Sequence, residues 1–272
     1  MRDVIIMAAP NGARKTKRDH PTLPVSIMDT VSEAAACYAA GASALHAHVR
    51  GSDDEHLLDA GLYHELLGEM SRRVPDMLIQ VTSEAVGIYT PVQQVACIEA
   101  VCPRMASMAL REISSDFTRP DDARRFFEWC VEHEVQVQHI VFTAKELQHF
   151  LEYREAGVIP ASHRCLLFVL GRYRADFQSR VTDLDPFLQH DLSDLDWFVC
   201  AFGQQEQQCV LAAIDAGGHA RIGFENNLYL PNGEIADSSS ALVASLVKAL
   251  GERDCRAASS ASAAQLLGVR KA

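Results

Sequence analysis

The residues best suited to chemistry stand in Leu45-His46-Ala47-His48-Val49-Arg50, at the end of a short apolar run. Alternate residues of a strand project to one side. The imidazoles of His46 and His48 therefore leave the same face, with their bases roughly 7 Å apart on the strand rise. From there both can reach one metal ion. A third ligand has to come from another strand end, and Glu225 directly follows the apolar run Ala220–Phe224. Two histidines and a carboxylate with one position left open form the donor set of catalytic zinc. The open position allows zinc to polarise a carbonyl as a Lewis acid.

Asn226 and Asn227, next to Glu225, are placed to orient a ligand or a substrate. Arg221, four residues before Glu225, reads as a group for a carboxylate or a developing oxyanion, with a buried structural ion pair as the alternative. Thr82 and Ser83 end one apolar run and Ser107 lies in the next. Their hydroxyls can bond a substrate carbonyl or carboxylate, or the local backbone. His139 has apolar neighbours and reads as a core or interface histidine. The basic residues Arg14, Lys15, Lys17 and Arg18 follow the first apolar run; they read as a solvated loop of which part reaches the rim of a site.

Positioning these groups requires a scaffold in which many strand ends open onto one rim. Strand-sized apolar runs occur at Val4–Ala9, Ala44–His48, Met77–Val81, Met105–Ala109, Val135–Phe142, Cys165–Leu170, Trp197–Cys200 and Ala220–Phe224. Helix-like stretches lie between them, at Thr30–Ala40, Leu62–Arg73, Pro91–Ala100, Asp121–His133, Ala144–Ala156, Leu184–Leu192, Gln205–Ala216 and Ser239–Leu250. Strict alternation implies parallel strands, because a parallel pair needs a long crossover. Eight such units in 272 residues predict an α/β fold of the (β/α)8 TIM-barrel type, one domain over residues 1–272. The rival, an open doubly wound sheet, usually carries a glycine-rich phosphate loop after its first strand. Ala9-Pro10-Asn11-Gly12-Ala13 is not that loop.

A net charge of −11 disfavours nucleic acid and anionic membrane as partners. No apolar run reaches membrane-span length, and the first residues turn polar too soon for a secretory signal. The eight cysteines are scattered without a CxxC pair, which suits reduced thiols in a cytoplasmic protein.

The chain resembles the β-keto acid cleavage enzymes over nearly its whole length. The likeness rests on Gly12-Ala13 with Asp19 and Leu23-Pro24, on the segment Ala44–Arg50, on Met105-Ala106-Ser107, on Phe168–Gly171, on Gly217–Leu228 and on the tail Ala263–Gly268. HxHxR and RxGxE together, at this separation, are specific. The resemblance implies a zinc-dependent barrel, a homotetramer, that exchanges carbon units between a β-keto acid and acetyl-CoA to give acetoacetate and a new acyl-CoA. It implies His46, His48 and Glu225 as zinc ligands and Arg221 as the arginine that handles charge. Thr82 and Ser107 then hold the substrate acid.

This sequence also departs from the family's pattern. Asn226 stands where an acid is usual, and an amide cannot exchange a proton as a carboxylate does. Arg14 and Ile140 stand where a member acting on an amino-keto acid has glutamates, which points to a neutral or anionic substrate with Arg14 selecting it. The glycine pair that relatives carry is absent from Gly171-Arg172-Tyr173-Arg174, which bears on how coenzyme A is met. Two other readings remain: a zinc hydrolase on the same barrel, and a metal-binding barrel without chemistry that senses a small keto acid.

Overall fold

A computed structural model describes residues 1–114 and 118–270. Its strands are β1 (Arg2–Val4), β2 (Ile6–Ala8), β3 (Ala44–Ala47), β4 (Val49–Arg50), β5 (His56–Leu57), β6 (Leu78–Thr82), β7 (Met105–Ala109), β8 (Gln136–Val141), β9 (Cys165–Leu170), β10 (Asp196–Ala201), β11 (His219–Ile222) and β12 (Cys255–Ala257). Its helices are α1 (Ile27–Ala39), α2 (Ala60–Arg73), α3 (Pro91–Val101), α4 (Leu110–Ile113), α5 (Pro120–Glu132), α6 (Ala144–Glu155), α7 (Glu206–Asp215), α8 (Ser239–Leu250) and α9 (Ser260–Leu267).

Eight parallel strands close into a barrel in the order β2-β3-β6-β7-β8-β9-β10-β11 and back to β2. The fold is the expected (β/α)8 barrel. Burial separates two apolar layers. Ile5, Met7, Met105, Leu167, Val169, Phe198 and Cys200 pack together with α9 residues Ala263, Ala264 and Leu267. Their alternation along the strands, opposite to neighbours such as Ile6, Leu166, Phe168 and Val199 in the other layer, assigns them to the barrel lumen. The larger layer joins the strands to the surrounding helices. Local signals start the helices: Ser26, Asp59, Thr143 and Ser238 each accept a backbone hydrogen at a helix N-terminus, and Thr90 forms a reciprocal box with Gln93 ahead of Pro91.

Several boundaries differ from those the sequence suggests. The first apolar run is split: β1 pairs with β12, while β2 enters the barrel. His48 ends no long strand, because Val49 and Arg50 leave to pair antiparallel with His56 and Leu57. The last barrel strand stops at Ile222, since Gly223 turns the chain at φ 146° against the backbone of Ala9. Leu184–Leu192 is not an α-helix. Two single 3₁₀ turns, Val181–Leu184 and Phe187–Gln189, flank Pro186, which lacks the N–H that a continuing helix needs. All eight cysteines are unpaired thiols. Among the described residues no helix is long and apolar enough to cross a membrane.

Candidate active site

Strand register builds the site. His46 lies beside Gln80, and Thr82 lies beside Ser107, on neighbouring strands. Inside the barrel His46 Nδ1 meets Gln80 Oε1 at 2.8 Å, and Gln80 in turn donates to Gln138 at 3.1 Å. His48 follows two residues later, its backbone tied to the side chain of Asn11. Glu225 sits beyond β11 in a turn whose N–H bonds the Ala9 carbonyl. Gly12 (φ 61°) leaves room for it: a methyl at that position would collide with Glu225 Cγ.

The three expected ligands converge. Ligand atoms of His46, His48 and Glu225 all lie within 4.8 Å of one another. The two imidazole Nε2 atoms stand 3.0 Å apart, with Glu225 oxygens 3.5 Å from His46 and 4.0 Å from His48. Ligand atoms about 2.0–2.1 Å from one tetrahedral zinc would stand about 3.3 Å apart, so the spread suits a single ion.

The hydrogen-bond partners also fix which nitrogens are free. His56 Nε2 faces the Glu84 carbonyl oxygen at 3.0 Å, so that nitrogen carries the hydrogen. His56 Nδ1 is then an acceptor, and His48 Nδ1, 3.3 Å away, must donate to it. His48 Nε2 is left as a lone pair. Gln80 Oε1 does the same for His46. Two lone pairs thus face each other at 3.0 Å, beside a carboxylate oxygen, Glu225 Oε2, that has no hydrogen-bond partner. A cation relieves this arrangement, which makes the donor set a good match for a metal. Electrostatics agree. Burial and the nearby Arg221 push His46 down to about 4. Burial, His56 and His46 push His48 down. Burial alone would raise Glu225, yet Arg221, His46, Lys15 and Arg50 hold it below its ordinary value. At neutral pH all three groups are in their ligating forms.

A cavity of about 260 Å³ opens against this cluster and is lined by His46, Thr82, Ser107, Ile140, Arg221 and Glu225, among others. An outer cavity of about 310 Å³ holds Lys15, Phe177, Gln178, Asn226 and Asn227. Both are bordered by Arg14, Glu84, Arg172 and Phe202. Arg221 is 3% exposed and spends Nη2 on Glu225 Oε1 at 2.8 Å, leaving Nε and Nη1 without partners. Ser107 Oγ and both amide atoms of Asn226 are equally buried and unpartnered.

The other expected residues are placed differently. Ser83 donates to the Ser107 carbonyl at 3.0 Å and lines neither cavity. Asn227 borders the outer cavity, but its amide is consumed by Glu206 and by both backbone groups of Tyr229. Thr82 lines the inner cavity and accepts from the Glu84 N–H. Arg14 stands 4.0 Å from Glu84. Lys15 donates to the Glu225 carbonyl at 2.6 Å, while Lys17 pairs with Asp29. His139 is packed among Phe127, Phe150 and His163 in the outer layer, away from the metal ligands.

Some groups at the site received no role from the sequence. Arg50, the arginine of HxHxR, anchors the loop after β2 through the carbonyls of Asn11, Gly12 and Lys15. Burial and the neighbouring Glu225 charge lift Glu84 to about 7. Gln80 was open to discovery, since it alternates with Thr82 on the same strand.

A closed barrel with a His-His-Glu cluster that could hold a metal ion, and unpartnered donors at the carboxyl ends of its strands, has the form of a barrel enzyme's active site. The model for the beta-keto acid cleavage enzymes matches residues 3–269, and the chain belongs to that family. It is 29% identical, over the full length of both chains, to a 3-keto-5-aminohexanoate cleavage enzyme of Fusobacterium nucleatum. It is 24% identical to a 3-oxoadipate:acetyl-CoA acetyltransferase of Cupriavidus necator, over 97% of this chain and 94% of that one. In fold it is similar to the solved structure of apo ObcA, with a TM-score of 0.71 and 14% identity, covering 92% of this chain and 66% of that longer one.

Proposed function

We propose that the protein cleaves a β-keto acid whose side chain is neutral or anionic, using acetyl-CoA and zinc and releasing acetoacetate and a new acyl-CoA. One observation carries this reading: two imidazole lone pairs and a free carboxylate oxygen meet at the floor of a cavity whose walls hold unpartnered buried donors. Zinc, when bound by His46, His48 and Glu225, supplies Lewis acidity toward the keto oxygen. The remaining work falls to the chain's own groups. The free Nε and Nη1 of Arg221, on different edges of the guanidinium either side of the Nη2 held by Glu225, are separate donors for the substrate carboxylate or for a developing oxyanion. Ser107 and Thr82 add hydroxyls from neighbouring strands. Asn226 holds a polar group through its free amide and cannot take a proton. Proton transfer is therefore assigned to Glu84, a carboxyl near neutral pKa that borders both cavities. Arg14 at the rim repels an ammonium group, and Ile140 offers it no counter-charge.

The relative from Fusobacterium nucleatum is named for an amino-keto acid, so the side-chain charge is the part of this reading most open to test. A hydrolase with further metal ligands loses its support, because His139 lies outside the site. With the reading go one barrel domain over residues 1–272, a homotetramer and a cytoplasmic location. Metal analysis of the purified protein, joined to an acetyl-CoA-dependent acetoacetate assay over acidic, neutral and amine-bearing β-keto acids, tests it. One zinc per chain and turnover of acidic or neutral acids are expected. Preference for the amine overturns the assignment of charge; metal binding without turnover of any acid favours a sensor.

A further inference from the structure

Glu206 opens α7 and is almost fully buried, 1% exposed. Burial raises this carboxyl group to about 8, so it keeps its proton at neutral pH. Burying a polar group is costly unless it is bonded, and the first turn of a helix gives no reason to bury an acid, which can complement the dipole from the surface. Its bonds show where it is used. Oε1 accepts from the Gly223 N–H at 3.2 Å and Oε2 accepts from Asn227 Nδ2 at 3.1 Å. These two donors are the two ends of one five-residue turn. Asn227 passes the constraint on, gripping the Tyr229 carbonyl at 2.6 Å and the Tyr229 N–H at 2.9 Å. The same turn is closed internally by Asn226 and Asn227 N–H bonds to the Gly223 carbonyl, and held to β2 by Glu225 N–H on Ala9. From the opposite side Lys15 fixes the Glu225 carbonyl.

Between the two clamped ends lie Glu225 and Asn226. Their side chains must face the cluster and the cavity; the Asn226 carbonyl accepts from the Gly203 N–H, but its side-chain amide has no partner. We infer that Glu206 is a positioning residue: its carboxyl group clamps residues 223–227 and so sets the direction of Glu225 toward the metal and of Asn226 toward the substrate. The inference rests on the metal-centre reading above. Both contacts are donors, so each oxygen must accept. A glutamine in its place supplies one acceptor and turns an NH2 toward a second donor, which breaks half of the clamp. The order of function is therefore wild type, Glu206→Gln, Glu206→Ala.

The test compares these three full-length proteins by zinc titration against a competing chelator, by hydrogen exchange of the 219–230 segment, and by kcat and KM. Removing a group that orients a metal ligand costs about 10–100-fold in affinity or activity. Glu206→Ala is expected to lose about tenfold in zinc affinity per folded molecule, to exchange faster in that segment, and to lose kcat more than KM rises. Glu206→Gln should fall between and covers the case in which the alanine variant fails to fold. A lower Tm with unchanged zinc affinity and kcat in both variants overturns the positioning role. A wild type that binds no zinc overturns the metal centre instead. The clamp is then judged by exchange alone, and unchanged exchange in the variants refutes it.

Discussion

Acid should destabilise the metal-free protein well above the pH at which ordinary carboxylates titrate. His46, His56, His163 and His219 are each moved from 6.5 to about 4, chiefly by burial. A histidine held neutral in the folded state contributes nothing above pH 6.5. Below that the unfolded chain takes up a proton the folded one refuses, and stability falls until about pH 4. Between pH 7 and pH 5 the loss is about 2 kcal/mol for each, or about 7 kcal/mol for the four. Acids raised by burial act in the opposite sense, Glu112 among them. Glu84 and Glu206 are raised by burial from 4.5 to about 7 and about 8. They hold protons in the folded state that the unfolded state has released, so acid returns about 5 kcal/mol over the same interval. The net is a loss of about 2 kcal/mol, and the depressed His48 and His139 add to it.

Against a total stability of about 5–15 kcal/mol, this is measurable. At a slope of about 3 kcal/mol per M, the urea midpoint in the presence of a chelator should fall by about 0.7 M between pH 7 and pH 5. Zinc at a hundredfold excess over its Kd should add about 2.7 kcal/mol at pH 7. It should add nearly as much at pH 5, because His46, at about 4, and the depressed His48 remain neutral ligands there. A midpoint that stays level or rises on acidification would show that these imidazoles are not buried as neutral rings.

Arg221→Met should lower kcat/KM by about 10²–10³-fold, the usual loss for a donor aimed at a developing anion; steady-state kinetics with the best acid of the panel decide it. Glu84→Gln should lower kcat by at least about 100-fold and remove the rise of rate through neutral pH, because an amide cannot take the proton; a retained pH profile would move the base elsewhere. Gly12→Ala forces a methyl onto Glu225 Cγ at a positive φ. Zinc affinity should drop by at least about tenfold, read by titration, while the far-UV spectrum is kept. Arg14→Glu should shift the kcat/KM ratio toward amine-bearing β-keto acids, measured by direct competition of two substrates.

The barrel was legible because eight apolar runs and the stretches between them repeat a parallel unit that has few ways to close. The metal ligands were legible because i and i+2 on a strand share a side, which is a local rule. Glu225 could be placed at the rim without knowledge of the turn that holds it. What escaped the sequence is contact between distant segments. His56 reaches His48 only because Val49 and Arg50 fold into a hairpin with it. Glu206 reaches Gly223 across the gap between α7 and β11, with no spacing to announce it. Leu184–Leu192 shows the reverse case: its apolar spacing suggested a helix, and Pro186 with the acids around it leaves two isolated turns. Ser83 and Asn227 are polar residues in the right neighbourhood whose bonding capacity is already taken by the backbone.

That last distinction separates scaffold from site across the whole mouth of the barrel. Buried polar atoms are ordinarily satisfied, and here Gln80, Gln138, Asn11, Arg50 and Glu206 all are, each by a neighbour that orients a loop or a ligand. The exceptions at the mouth are Arg221 Nε and Nη1, Ser107 Oγ, Glu225 Oε2 and the Asn226 amide. They comprise a cation with two free donors, a hydroxyl, a ligating oxygen and an amide, and they border two cavities that meet at Glu225. Four separate lapses in packing would fall on unrelated walls. A shared demand, for an anionic group beside a coordinated carbonyl, accounts for the unpaired groups that border the two cavities.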